Sequence, residues 1–422
     1  MNFRALAMLI CCVAVTSWAQ DADGGTPTEA PAPMIDAGVA EPTPSAPDAG
    51  APAVAAKLPV DLSAKYGEGV TFRAGEWSLN LRGRFQAQAL ALVPSEGSTA
   101  VRSNQFAIRR ARIVMKGDMP YHLMWQLHLG FSSFDLETDA PNPIRDLFVQ
   151  WTWLRDLSVR VGQQKVQFDV QRVVSSAYLQ MVDRSLATLE FNLDRDVGVQ
   201  VYSDDLFGLG RFKYSLGVYQ GDGRNRVGTN VGLLYTARVR ASLVGNLDEK
   251  IEGDLGRSSD FRLAIGGGVA RNIGTTRPRS TFGTPYRLAG GFDYTHATAD
   301  LHVKWHGVSL LSEFYWRQAD KDSRTGTISG ADVTEYSRSG WGFYAQAGGF
   351  VTDWLELTVR YGELRPLGNT DPTLTRQREI GGGFNVFFLK HDLKLQADYF
   401  WLDDGAGGNG RNQVRLIAQV FF

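Results

Sequence analysis

Arginines two residues apart are the most pointed chemical feature of this sequence. Arg82 and Arg84, Arg110 and Arg112, and Arg238 and Arg240 repeat that spacing, and Lys116 continues the second row. On a β-strand, residues i and i+2 share a face, so each pair sets two guanidiniums side by side. A guanidinium is a permanent cation whose forked donors match an oxyanion with paired hydrogen bonds. Arg160, Arg262, Lys304, Arg317, Arg360, Lys394 and Arg415 fall on similar registers, against fewer acids: Asp146, Glu313, Glu356, Glu379 and Asp398.

Other chemistries are poorly served. His302 and His306 are the most suggestive metal pair, but on one strand face they lie about 13 Å apart at ~3.3 Å per residue, and Trp305-His306-Gly307 reads as a turn. Asp204-Asp205 and Asp403-Asp404 sit beside glycine at turn positions, and neighbours on a strand face opposite ways. Gly266-Gly267-Gly268 and Gly381-Gly382-Gly383 lack the following helix that a phosphate-cradling loop needs. They suit tight sheet curvature or the close approach of another segment. No Ser/His pairing suggests a hydrolase. Neither an enzyme, a metal site nor a cofactor is expected.

The elements that must carry the arginines are strands. From residue 76 onward, short alternating segments dominate. Trp77, Leu79, Leu81, Phe85, Ala87 and Ala89 fall on one face, and Ser78, Asn80, Arg82, Arg84, Gln86 and Gln88 on the other. Sixteen candidate strands can be read: 76–93, 104–118, 121–135, 144–154, 157–166, 194–203, 211–220, 229–242, 260–271, 288–305, 308–319, 338–351, 354–363, 376–389, 392–402 and 411–422. Many run to ten residues or more, where soluble strands average about five or six and membrane-spanning strands need about nine to eleven. Asp118-Met119-Pro120, Arg155-Asp156, His306-Gly307, Thr352-Asp353 and Lys390-His391 make tight turns that alternate with long polar loops, the pattern of an outer-membrane barrel. Residues 244–260 break the rule, being long on the short-turn side. Trp77, Trp151, Trp153, Trp305, Trp316, Trp354, Tyr399 and Trp401 lie near strand ends and suit interfacial girdles.

The 422-residue chain carries a net charge of -1 and gives no nucleic-acid signal. Residues 1–19 read as a secretory signal, with Arg4, an apolar run and Ser17-Trp18-Ala19 before cleavage. Both cysteines, Cys11 and Cys12, fall within it. Residues 20–57 are an acidic Pro/Ala-rich segment expected to be a disordered linker. Residues 58–75 are a short lead-in, and 76–422 the barrel. No later run is long and apolar enough for a membrane helix.

On this reading the polar faces line water and the apolar faces meet lipid. Fixed positive charge in a narrow, low-dielectric passage gathers anions and repels cations, and rings of Arg or Lys are the usual means of anion selection. Arg109 falls on the lipid register of its strand, where a charge costs ~2–4 kcal/mol at mid-membrane. A bulge, or an oligomer neighbour, is therefore expected there. Between 166 and 194 alternation stops, leaving a long, aliphatic connection (constriction loop about 167–192). Such loops are usually functional, and this one can fold inward and narrow the pore. Val173 to Leu189 offers one or two short helices.

LRGRFQ (81–86), FAIRRARIVMKG (106–117), IRDLFVQ (144–150), VGQQKVQFDVQRVVSSAYLQMVDRS (161–185) and the terminal Phe422 together resemble the phosphate-selective porins of the O and P type. The resemblance implies an all-β fold: a 16-stranded antiparallel transmembrane β-barrel with an inward-folded third extracellular loop, usually a homotrimer in the outer membrane of Gram-negative cells. By position, Arg84, Arg109 and Arg110 match the family's basic constriction residues, Asp146 a nearby carboxylate, and Ser175 and Ser176 loop hydroxyls. Arg172 stands where phosphate-specific members have a loop lysine, and Gln167 interrupts the typical GQxKxPF by replacing its proline. The function expected is passive diffusion of small hydrophilic solutes, preferentially anions such as phosphate. Arg82, Arg84, Arg110 and Arg112 would relay the anion, Arg109 and Arg172 would join at the constriction, and Asp146 would position the arginines. The alternatives are a weakly selective general diffusion porin, or a barrel anchor tethered to the envelope by residues 20–57.

Overall fold

The computed structural model describes residues 59–95, 102–137, 141–226, 232–405 and 410–422. The expected signal segment and acidic linker lie outside the described residues. Two strands precede the expected barrel: β1 (Asp61–Lys65) and β2 (Gly69–Ala74). The wall begins with β3 (Trp77–Pro94), β4 (Ser103–Met119), β5 (Leu123–Gly130), β6 (Ile144–Leu154) and β7 (Leu157–Lys165). After residues 166–194 it continues with β8 (Arg195–Leu206), β9 (Phe212–Tyr219), β10 (Leu234–Val244), β11 (Arg262–Thr275), β12 (Phe292–Trp305) and β13 (Val308–Ala319). An outlying hairpin, β14 (Ser323–Ile328) and β15 (Ala331–Tyr336), interrupts it. It resumes with β16 (Gly340–Phe350), β17 (Leu355–Pro366), β18 (Gln377–Leu389), β19 (Leu393–Asp403) and β20 (Arg411–Phe421).

Each wall strand pairs antiparallel with the next, and β20 pairs with β3 from Phe421↔Arg84 to Arg411↔Pro94, closing a barrel of sixteen strands. Closure removes the edges that an open sheet would expose. It also pairs the wall's backbone strand to strand, as a span through lipid requires. All sixteen expected strands are present, with shifted ends: β5 stops at Gly130 rather than 135, and β12 starts at Phe292 rather than 288.

The lead-in is not featureless. β2 pairs with the first residues of β3, Val70↔Leu81 through Ala74↔Trp77, below the level that β20 reaches. β1 escaped the sequence reading because all five of its residues are exposed, so no apolar face alternates. The β14–β15 hairpin is likewise polar and threonine-rich.

Burial along the wall is inverted relative to a soluble sheet. On β17, Glu356, Thr358 and Arg360 are buried while Leu357 and Val359 are exposed. On β10, Arg238 and Arg240 are buried and Val239 is 65% exposed. This is the lipid-facing apolar band with a polar interior. Trp77, Trp153, Trp305 and Trp354 are exposed at the short-turn ends of their strands, where amphipathic rings suit the membrane interface. The last strand turns Val414, Leu416 and Phe422 outward. The terminal residue is laddered to β3, with Gly83 N–H donating to Phe422 O at 2.7 Å and Phe422 N–H to Gly83 O at 3.1 Å.

The connection 166–194 between β7 and β8 is the apolar core of the molecule. Val166, Phe168, Val170, Val174, Leu179, Ala187, Phe191 and Leu193 are buried against Leu311, Tyr315, Tyr344 and Leu364 of the wall. Only its last part is helical: α1 (Leu186–Phe191) is capped by Ser185, whose side chain accepts from Thr188 N–H at 3.0 Å. The earlier residues 173–184, expected as part of a helix, run as turns and bends instead. Small wall residues admit the segment. A Cβ on Gly268 would lie 2.7 Å from Phe168 O, and one on Gly348 2.1 Å from Gln180 Nε2. The first of these explains one member of the Gly266–Gly268 run.

A candidate anion pathway

The wall's buried polar register grips the 166–194 segment from many sides. Arg238 on β10 donates to Phe168 O (2.9 Å), and Arg317 on β13 to Glu190 O (2.9 Å). Arg360 on β17 donates to Asp183 O (2.9 Å), and Asn385 on β18 to Gln180 O (2.8 Å). Gln396 on β19 donates to Leu179 O (3.0 Å), and Gln419 on β20 to Ala177 O (3.3 Å). An irregular backbone away from water needs partners for its carbonyls, and these inward side chains provide them.

The predicted bulge lies between β3 and β4. The register steps from Gln86↔Arg110 to Ala87↔Ile108, skipping Arg109. The extra residue lets two consecutive arginines reach one side of the sheet. Arg109 Nη2 and Arg110 Nη2 both meet the carboxylate of Asp183 in the segment, at 2.5 and 3.5 Å. Arg109 is thereby paired and off the lipid face, as the membrane penalty required.

Beside them, Arg84 and Arg112 are direct cross-strand partners. Like charges in that position repel. Arg84 Nη1 and Nη2 donate to Ser175 Oγ (3.4 Å) and Ser176 Oγ (3.0 Å). Arg112 Nη1 also donates to Ser176 Oγ (3.2 Å), and its Nε to Asp135 Oδ1 (3.0 Å). Among the described residues Arg84 has no carboxylate partner, although it is buried. Two facing guanidiniums over two hydroxyls thus form a cradle, with Asp135 on the far side of Arg112, and such forked donors suit a multivalent oxyanion.

Other expected site residues lie apart from this cradle. Arg82 pairs with Asp392 at 2.8 Å, with its guanidinium 3.7 Å from the centroid of the Phe421 ring, at the short-turn end. Arg172 Nε donates to Asp194 Oδ1 at 2.8 Å, at the neck of the segment. Asp146 does not position the expected arginines. It holds Arg195 (Nε to Oδ1, 2.8 Å) and His128 (2.8 Å). Its strand brings it to the start of β8, beyond reach of Arg84 and Arg110.

The acids that do hold the arginines were not foreseen. Asp183 serves Arg109 and Arg110, Asp135 serves Arg112 and Arg145, and Asp194 serves Arg172 and Arg195. Burial alone would raise Asp183, but Arg109 and Arg110 overcome it and hold the carboxyl well below its ordinary range. Among the described residues, Arg184 and Lys165 donate to backbone carbonyls of the segment, at Gln171, Arg172, Val173 and Val174. By direct salt bridges among the described residues, six arginines (Arg109, Arg110, Arg112, Arg145, Arg172, Arg195) share four carboxylates (Asp135, Asp146, Asp183, Asp194), and Arg84 adds a seventh cation without one. The sequence hint was the crowding of charge at 144–146 and 194–196, where alternation breaks.

A cavity of about 530 Å³ lies between the segment and β4, β5 and β7–β10. Its lining includes Lys116, Arg160, Lys213, Arg238 and Arg240 on the wall and Asp169, Ser175 and Tyr178 on the segment.

With this geometry in hand, comparison with known proteins is decisive about family. The family "Phosphate-selective porin O and P" matches residues 79–415. The chain belongs to that family. It is an outer-membrane porin, a channel rather than an enzyme. The anion-selective porin of Comamonas acidovorans has the same fold at 14% identity, with a TM-score of 0.54 over 82% of this chain and 100% of that one. OprB of Pseudomonas putida matches at 9% identity and TM-score 0.54, over 82% and 94%. OmpF of Salmonella typhi matches at 12% identity and TM-score 0.51, over 82% and 98%. No curated protein sequence matches.

The porin's segment carries one group poised to titrate near neutrality. Tyr315 Oη lies 3.2 Å from Asp169 Oδ2 and 3.0 Å from Glu313 Oε2. Burial pushes the Asp169 carboxyl from 3.8 up to about 6, against the pull of Arg238 and Arg172. A raised acid binds its proton more tightly docked than undocked. Docking of the segment therefore weakens as pH rises from about 4 to about 6, then levels off. Open-channel noise is expected to be greater at pH 7.5 than at pH 5. The undocking equilibrium should change about tenfold between those pH values, since one pKa unit is about 1.4 kcal/mol. Asp169→Asn should be quiet at both pH values; equal pH dependence in that variant would show the noise comes from elsewhere.

Proposed function

We propose that this porin passes small anions preferentially, with Arg84, Arg112, Ser175 and Ser176 as the point of recognition and the 166–194 segment as the constriction. The observation that carries the reading is the direct opposition of Arg84 and Arg112 with hydroxyls as the only described polar partners of Arg84. Binding an oxyanion there relieves the repulsion, and the excess of seven arginines over four salt-bridged carboxylates around it draws anions in. Arg109 and Arg110, pinned by Asp183, hold the segment and extend the positive field. Phosphate is a tetrahedral oxyanion that suits paired guanidinium and hydroxyl donors. The fold shared with the anion-selective porin of Comamonas acidovorans supports this direction. A homotrimer, an N-terminal export signal and a disordered acidic linker complete the proposal.

A weakly selective pore is the second reading, favoured by carboxylates that neutralise much of the arginine register, such as Asp300 with Arg238, Asp398 with Arg415 and Glu379 with Arg360. The reversal potential of the purified porin in a planar bilayer under a KCl gradient, with and without phosphate, separates the two. Chloride preference with phosphate block supports the cradle. A potential near zero, or cation preference, overturns it.

A further inference from the structure

Six of the seven connections at the short-turn end of the barrel span two to five residues, but that between β10 and β11 spans 245–261. A hairpin needs no such length. This connection turns back into the barrel. Lys304 Nζ on β12 donates to Asp248 O and Ile251 O, both at 2.7 Å, and His302 Nε2 lies 2.9 Å from Glu252 O. On one side Glu249 pairs with Lys213 of β9 and Arg240 of β10, each at 2.7 Å. On the other, the Glu252 carboxylate is fully buried and accepts from Gln346 Nε2 of β16 at 2.9 Å. The connection thus lies against the inner wall along the arc from β9 to β16.

It also meets the 166–194 segment. Glu252 accepts from Gln180 N–H (2.8 Å) and Gln171 Nε2 (3.1 Å), while Glu252 N–H donates to Tyr178 O (3.3 Å). Gly253 packs so closely that a Cβ would lie 2.7 Å from Glu356 Oε1. A carboxylate buried among neutral donors is expensive to desolvate, so a loop that merely joined two strands would not bury one. Glu249 and Lys250 line the 530 Å³ cavity, opposite Lys116 and Arg160.

We infer that residues 245–261 form a second constriction, entering from the short-turn side, with Glu252 keying it to the first and Glu249 as its selectivity-setting carboxylate. The inference rests on the pore reading above. The connection narrows the exit to the β4–β10 side. By neutralising Lys213 and Arg240, Glu249 weakens anion binding there, and conduction requires sites that release. The carboxylate also tempers anion preference at the exit.

The test is single-channel recording on the full chain. Replacing 247–258 by a short Gly/Ser turn should raise conductance by about 1.5-fold or more, because the narrowest cross-section governs passage. Glu249→Gln, which keeps the loop, should shift the reversal potential toward stronger anion preference. Lys250→Cys introduces a thiol into a chain whose natural cysteines are Cys11 and Cys12 alone; an anionic thiol reagent added on the short-turn side should cut its current. If the shortened chain does not fold, Glu252→Ala, which unhooks the loop from the 166–194 segment, should raise conductance and noise. Variants with conductance, potential and thiol sensitivity unchanged from a wild type that does conduct would overturn this inference alone. A wild type that conducts nothing would overturn the pore reading with it.

Discussion

Arg84→Ala is expected to abolish phosphate block while leaving a folded, conducting barrel. Removing one charge-assisted donor pair costs about 1.5–3 kcal/mol of oxyanion binding, which is roughly 10- to 100-fold in the blocking concentration. The reversal potential should move toward zero. Stability should change little or improve, because Arg84 is a buried cation with no described carboxylate partner facing a like charge on Arg112. That separates it from Arg112, whose Nε bonds Asp135 while Arg145 holds the same acid at 3.0 Å. Arg112→Ala should therefore weaken block and also loosen residues 131–137. Arg84→Lys, with one charge but no fork, should recover chloride preference but little of the phosphate block. Dose–response curves for phosphate against chloride current in the three variants check all of this. Unaltered block in Arg84→Ala would put the binding site elsewhere.

The wall was legible in the sequence because lipid and water impose a strict alternation on every strand. Sixteen segments carry it, and the register of Trp77, Leu79 and Leu81 against Arg82 and Arg84 could be read directly. The bulge at Arg109 was legible for the same reason: a charge on an otherwise apolar face demands an explanation, and an extra residue supplies one. What could not be read were pairings between segments with no periodicity. Asp183 sits in the 166–194 segment, and Asp135 in a turn beyond β5, so nothing local announces that either would meet an arginine of β4. Asp146 was assigned to the wrong partners on the same account. It is on a strand, but Arg195, which it holds, lies past the whole segment. The 245–261 connection was visible only as an exception to turn length. Its reason lies in Glu252, Gln180 and Gln346, residues of ordinary type whose contacts arise from folding two loops into one interior.

Asp183 should prove the residue on which the constriction depends most. Its carboxylate receives Arg109 and Arg110 and also the N–H of Arg184 at 3.0 Å. Asp183→Ala strands two adjacent guanidiniums away from bulk water, and breaking such a buried pair costs about 3–5 kcal/mol. That exceeds what a hydrogen bond such as Arg360 to Asp183 O contributes, about 1 kcal/mol, so the segment should detach locally rather than hold its place. The expected signs are a rise in conductance and noise, protease sensitivity between residues 166 and 194, and a lower temperature for loss of the barrel's compact migration on gels. The added positive charge alone would predict the opposite electrical outcome: tighter anion block and lower current. A double-mutant cycle decides between them. If detachment dominates, Arg109→Ala added to Asp183→Ala should restore much of the lost thermal stability, with a coupling of about 1–3 kcal/mol. If Asp183 only tempers the field, the two substitutions should be additive in stability, and phosphate block should strengthen in Asp183→Ala alone. Additivity together with an unchanged protease pattern would show that the bulged pair does not anchor the segment.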